Sequence, residues 1–188
     1  MKAYCINLKD REDRWNDFKL QSFPFEVERF EAIKDSPGWV GCAKSFLKLY
    51  ESLTEFPCAI FEDDCMMLRD WDEVDRIIKQ LPEDWDMLNL GATLNEPLVR
   101  YSENLFVLKN AYCLHGVIYN SRKVLDFILD NKDEIRKIDV FITQKVHTTF
   151  KCFVTYPMIA TQRPGHSDIV NKFTTYKELN DSYKKFTQ

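Results

Sequence analysis

The sequence predicts one α/β domain built on a mixed sheet. Short apolar runs alternate with amphipathic stretches through the first half of the chain, the pattern of strands separated by helices. In the middle, Leu98-Val99-Arg100-Tyr101 and Leu105-Phe106-Val107-Leu108 flank Ser102-Glu103-Asn104, which reads as a hairpin and brings antiparallel pairing into the sheet. The run Cys58-Ala59-Ile60-Phe61 ends abruptly in Glu62-Asp63-Asp64, as a buried strand does when it emerges at a sheet edge. No internal repeat, low-complexity segment or linker divides the 188 residues, which suffice for one well-cored domain.

The elements follow in order. Tyr4-Cys5-Ile6-Asn7-Leu8 is the first strand, and Asp10 is placed to cap a helix whose apolar side carries Trp15 and Phe18. Phe25 to Phe30 alternates apolar and polar residues, as a half-buried strand does. After the turn Lys34-Asp35-Ser36-Pro37-Gly38, residues Ala43, Phe46, Leu47, Tyr50 and Leu53 follow helical spacing, with Gly41 and Cys42 at the start and Lys44 and Ser45 in the first turn. A helix over 71–81 stops at Pro82, and a strand over 85–91 ends at Gly91. His115-Gly116 interrupts the apolar run 111–119, and a helix carrying Val124, Leu125 and Ile128 follows. Asp139 opens a short helix, 152–156 is the last strand, and 162–169 reads as a loop. A final helix over about 175–187 carries Tyr176, Leu179, Tyr183 and Phe186 at helical spacing and is expected across the domain surface.

Composition narrows the function. Hydrophobic residues make up 45% and charged residues 30%, the balance of an ordinary globular chain. A net charge of -4 argues against a nucleic-acid partner, which needs a basic face. No apolar run approaches the ~20 residues of a membrane span, and the first residues lack signal-peptide anatomy. The six cysteines form no Cys-x-x-Cys pair, and four lie in apolar runs. The expectation is six free thiols in a reducing, cytoplasmic setting.

Three consecutive acids at a strand end repel one another and resist ionising unless a cation is near. A hard divalent ion such as Mg²⁺ or Mn²⁺ suits carboxylate oxygens and also holds phosphates. Ligands in open α/β sheets bind beyond the carboxyl ends of the strands, where this cluster lies. A metal–diphosphate site and a solvated acidic turn both fit these residues.

Several spaced motifs together resemble one family. Ile6-Asn7-Leu8 with Arg11, Asp13 and Arg14 is similar to the opening of glycosyltransferase family 25, which includes lipooligosaccharide glycosyltransferases and procollagen galactosyltransferases. Gly41-Cys42-Ala43-Lys44-Ser45 resembles its helix-start motif, and Glu62-Asp63-Asp64 its variant of the Asp-x-Asp metal motif. Trp85-Asp86 through Leu90-Gly91, Ile138-Asp139-Val140-Phe141, and Gln162 with Ser167-Asp168-Ile169 resemble its later motifs in the same order. The resemblance spans residues 4 to about 169. It departs from the family at Phe46, where His usually stands, and the chain is short for such a transferase.

The resemblance implies a single GT-A type, Rossmann-like domain that binds a UDP-sugar and Mn²⁺ or Mg²⁺ and inverts at the sugar carbon. A hexose, galactose or glucose, would pass to a glycan or hydroxylated acceptor, as in lipopolysaccharide or other glycan biosynthesis. Asp64 and Glu62 are the metal-ligand candidates, sharing a side by strand period, with His166 as a third. Asp63, pointing the other way, is assigned to the donor. Asn7, Arg11, Arg14, Lys44, Ser45, Ser167 and Asp168 are its further donor contacts. Asp139 is the candidate general base, with Asp86 a substitute at a strand start; capping of the following helix is the competing role for Asp139. His115 is either a core histidine or a contact to the donor sugar. Two other functions compete: a catalytically silent nucleotide-sugar or glycan binder, and a metal-dependent phosphoesterase, which normally needs more ligands than three histidines allow.

Overall fold

The computed structural model describes residues 1–186. In chain order they form β1 (Lys2–Asn7), α1 (Glu12–Lys19), β2 (Glu28–Glu31), α2 (Gly38–Ser52), β3 (Cys58–Glu62), β4 (Cys65–Met67), α3 (Trp71–Ile78), β5 (Met87–Asn89), β6 (Thr93–Leu94), β7 (Val99–Arg100), β8 (Leu105–Val107), β9 (Ala111–Tyr112), β10 (Gly116–Tyr119) and α4 (Lys123–Asp130). A helical stretch follows: α5 (Ile138–Phe141), a π-helical segment (Ile142–Val146) and α6 (His147–Thr149). The chain closes with β11 (Cys152–Thr155), β12 (Ala160–Gln162), β13 (Gly165–Ser167), β14 (Lys172–Thr174) and α7 (Lys177–Phe186).

The fold is mixed α/β. Eight strands form one sheet in the order β2-β1-β3-β10-β5-β11-β8-β7. β1 runs parallel to β2 and β3, and β11 parallel to β5. β10 lies antiparallel between β3 and β5, and the β7–β8 hairpin adds antiparallel edge strands.

Helices cover both faces, which is why the central strands read as unbroken apolar runs rather than alternating ones. In β3, Cys58 and Ile60 pack with α2, α4 and the helical stretch from α5, while Ala59 and Phe61 pack with Phe18 of α1 and Trp71 and Val74 of α3. The same alternation carries on past the strand and aims each acid: Glu62 continues the α2 side, Asp63 the α1 side.

Several elements differ from the sequence-based expectation. The strand expected over 25–30 begins only at Glu28, because Phe23 and Phe25 are used in an aromatic cluster with Phe61 and Trp71. Asp10 does not cap α1; it pairs with Lys34 across the cavity mouth, and Arg11 occupies the cap position. α2 starts at Gly38, a turn earlier than expected, so Lys44 and Ser45 sit in its second turn. The loop expected over 162–169 is interrupted by strand: Gln162 ends β12, which pairs with β4, and Gly165–Ser167 form β13, which pairs with β14. α7 starts at Lys177, leaving Tyr176 outside it, and Thr187 of the expected helix lies outside the described residues. Leu179 and Tyr183 are buried and Ser182 accepts the Leu94 N–H at 3.0 Å, so α7 is docked into the domain rather than laid over it. No helix among the described residues is long and apolar enough to cross a membrane.

Gly91 marks the tightest crossing behind the site. A Cβ there would collide with the Ala160 carbonyl, and it would lie 3.0 Å from His115 Nε2. The crossing is held by Ile159 and Ala160 N–H groups donating to Leu90 O. Neither neighbour is a flexible side-chain tip, so the backbone must move to admit a methyl. Gly91→Ala is expected to cost about 2–3 kcal/mol and lower the melting temperature by about 4–12 °C, readable by thermal denaturation; an unchanged midpoint would refute the close approach.

Candidate functional site

A cavity of about 300 Å³ opens beyond the carboxyl ends of β1 and β3. Glu62, Asp63 and Asp64 line it together with Arg14, Cys42, Ser45, Gln162, Ser167, Asp168 and Tyr176. The strand ends supply the acids, α1 and α2 the walls, and the β12–β14 segment the cover.

Each acid has a distinct partner set. Asp63 accepts from Arg14 Nη1 at 2.7 Å and from Asn7 Nδ2 at 2.7 Å. Asn7 is itself fixed, because Arg29 Nε donates to its Oδ1 at 2.8 Å. Burial raises the Asp63 carboxyl above its usual range, and Arg14 and the Asn7 amide pull it part of the way back. Asp64 is buried; it accepts from the Tyr176 hydroxyl at 2.8 Å and faces Gln162 Nε2 at 3.3 Å. Burial raises its carboxyl too, against the lowering pull of Tyr176, Arg14 and Gln162. Among the described residues Glu62 has only the Gln162 amide, at 3.5 Å. Burial holds it well above the usual carboxylate range, and Asp64, Asp63 and Asp139 push it further.

Glu62 and Asp64 thus converge on one amide, while Asp63 turns to α1. That is the arrangement period-two geometry gives. The Gln162 amide nitrogen serves both carboxylates, which leaves its Oε1 buried without a partner among the described residues. The two carboxylates with this oxygen are hard donors of the type that suits Mg²⁺ or Mn²⁺. No three His, Cys, Asp or Glu groups cluster tightly enough among the described residues to hold an ion alone. The donor set therefore fits a cation that takes its other ligands from phosphate and water, as Mg²⁺ commonly does.

The other expected residues fall into two groups. Arg14, Ser45, Ser167 and Asp168 line the cavity. Ser45 is spent internally, accepting the Ile33 N–H at 2.8 Å and donating to Gly41 O at 2.6 Å. Asn7, Arg11, Lys44, His166 and Asp139 do not line it. Asn7 is buried behind Asp63, Arg11 is held by Asp13 and Asp168, and Lys44 by Asp35. His166 is exposed on β13, because strand alternation turns Ser167 inward instead; only the His166 carbonyl reaches the site, accepting from Arg14 Nη2 at 2.6 Å. His166 is thus not among the groups converging on the acids. Asp139 lies in the first turn of α5, where its Oδ1 accepts the Val140 N–H at 2.8 Å, yet its charge is felt at Glu62 and Cys42.

Asp86 sits before β5, away from the cavity, held by Lys123 and the Lys151 N–H. His115 is a core histidine: fully buried, with Nε2 3.1 Å from Ala160 O and a pKa lowered by burial to about 4. Phe46 is buried in the core against Tyr50, with its edge at the cavity.

Two site residues were not assigned a role from sequence. Tyr176 was hidden by its fit to the helical spacing of α7; its φ of 52° takes it off the helix and turns it to Asp64. Gln162 had only its place in a late motif, and its pairing opposite Cys65 in β4 is what brings it to the acids. No protein-family model matches the chain, and no curated protein matches it significantly.

The acid cluster makes the cation-free protein less stable than its packing allows. Glu62→Gln removes the least-partnered charge and is expected to stabilise by about 1–2 kcal/mol, seen as a melting temperature raised by about 2–8 °C at pH 7. The sign with pH follows from a carboxyl whose folded pKa is raised: the cost is absent below the pKa of the unfolded carboxyl and grows as pH rises above it, so the advantage of Glu62→Gln shrinks as pH falls. A destabilised variant at pH 7 would refute this account of the cluster.

Proposed function

We propose that this protein is a metal-dependent glycosyltransferase of the GT-A type, moving a hexose from a UDP-sugar to a hydroxyl acceptor with inversion. The observation that carries the proposal is the convergence of Glu62 and Asp64 on the Gln162 amide, at the carboxyl edge of a mixed sheet. The motif resemblance to glycosyltransferase family 25 adds the donor class. Mn²⁺ or Mg²⁺, bound with the donor diphosphate, would supply positive charge that stabilises the leaving group.

This chain's own residues do the rest. Glu62 and Asp64 would hold the cation, with Gln162 orienting both carboxylates. Arg14 holds Asp63 in place and brings positive charge to the phosphate side of the cavity. Ser167 and Asp168 line the same wall for the donor. In the transfer, the acceptor oxygen bonds to the sugar's anomeric carbon and the carbon–phosphate oxygen bond breaks. Its electron pair leaves with UDP, and the hydroxyl proton goes to a carboxylate. Asp139 is the proposed acceptor of that proton, since its Oδ2 has no hydrogen bond among the described residues and its field reaches Glu62. Tyr176 donates to Asp64 Oδ2 and so fixes the orientation of the carboxylate that would face the cation.

A second reading, a nucleotide-sugar binder without turnover, is favoured by one observation: Asp139 does not line the cavity. Hydrolysis across UDP-, GDP- and CMP-sugars separates the two. Slow UDP release from one UDP-hexose is expected with Mn²⁺, abolished by chelator and reduced about 100-fold or more in Asp64→Ala. UDP binding with Mn²⁺ but no release, with or without acceptors, would favour the silent binder. Absence of UDP binding would sink both readings.

A further inference from the structure

Beside the acid cavity lies a second groove, of about 470 Å³, with the opposite charge. Trp39 of α2 lines it together with Arg136, Lys137 and Lys145, and Glu134 is the one acid among the described lining residues. The chain carries a net charge of -4, so three cations against one acid run counter to its overall balance. Their side chains make no ion pair or hydrogen bond among the described residues. Around the acid cavity, by contrast, Arg11, Arg14 and Lys44 are each held by a carboxylate.

The groove adjoins the proposed reaction centre. Trp39 follows Gly38 and is one turn before Cys42 on α2, and both of those residues line the acid cavity. Val140, in the groove, follows Asp139, whose charge acts on Cys42 and Glu62. A ligand seated on Trp39 therefore lies against the start of α2, next to residues that border the acid cavity, and beside Val140, the neighbour of the proposed base.

The chemistry selects the ligand class. A half-exposed indole offers a flat apolar face for a sugar ring. A guanidinium and two ammonium groups lining the same groove suit phosphate, the guanidinium by its bidentate fork. A phosphomonoester of about two negative charges balances the excess of cations over Glu134. We infer that this groove receives the acceptor, and that the acceptor is a phosphorylated oligosaccharide. The inference rests on the transferase reading above and adds to it the acceptor's class and place.

The test is calorimetric titration of the full chain with a phosphorylated mannopentasaccharide, its dephosphorylated form and inorganic phosphate, and separately with UDP plus Mn²⁺. The phosphorylated sugar is expected to bind about tenfold or more tightly than either control. Arg136→Gln combined with Lys145→Gln, and separately Trp39→Ala, should each weaken it about tenfold while leaving UDP binding unchanged. The exposed Arg136/Lys145 pair keeps the test open should Trp39→Ala fold poorly. Equal binding of the dephosphorylated sugar, equal binding of inorganic phosphate, or indifference to the variants would overturn the inference. UDP binding without sugar binding defeats the groove alone. Sugar binding in the groove without UDP binding defeats the transferase reading and, with it, the acceptor role.

Discussion

Three adjacent carboxylates at the end of a buried strand are the constraint on which this structure depends. The strand β3 must be apolar because helices cover both its faces. Where it ends, the chain leaves a low-dielectric interior with three charges in a row, which cannot all stay ionised without partners. The fold answers acid by acid. Asp63 has Arg14 and the Asn7–Arg29 relay, Asp64 has Tyr176, and Gln162 spans Glu62 and Asp64. These partners come from β1, α1, β2, β12 and the approach to α7, so the cluster ties distant parts of the chain together.

The sheet topology explains why the cluster faces a cavity rather than protein. β1 and β3 run parallel, and their carboxyl ends open on one edge. β10 runs the other way, so what it brings to that edge is its amino end, with His115 and Gly116 packed closely behind Glu62. Gly91 lets the β12 segment cross there, and that crossing delivers Gln162. Architecture and site are in this sense one arrangement: a reversed strand leaves the space, and a late strand roofs it.

Much of the fold was legible in the sequence because its signals were local. The run Cys58 to Phe61, the α2 spacing of Ala43, Phe46 and Tyr50, and the 98–108 hairpin are each decided by neighbours along the chain. The acid cluster was legible for the same reason. The misplacements came from residues whose partners are far away. Asp10 looks like a cap until Lys34 claims it, and Lys44 looks free until Asp35 does. His166 and Ser167 are adjacent, and only the pairing of β13 with β14 decides which turns inward. Tyr176 satisfies helical spacing perfectly well and is nevertheless held off the helix by a backbone conformation that spacing does not encode.

The pairing of β4 with β12 sets Cys65 opposite Gln162 immediately after the acids. Side chains along a strand alternate in direction, so sliding this pair by one residue would swing the amide to the opposite face and install its neighbour Thr161 or Arg163 instead. The number of residues between Gly91's contact with Ala160 and Gln162 is therefore fixed by the acids: one residue more or fewer there would carry the amide away from Glu62 and Asp64.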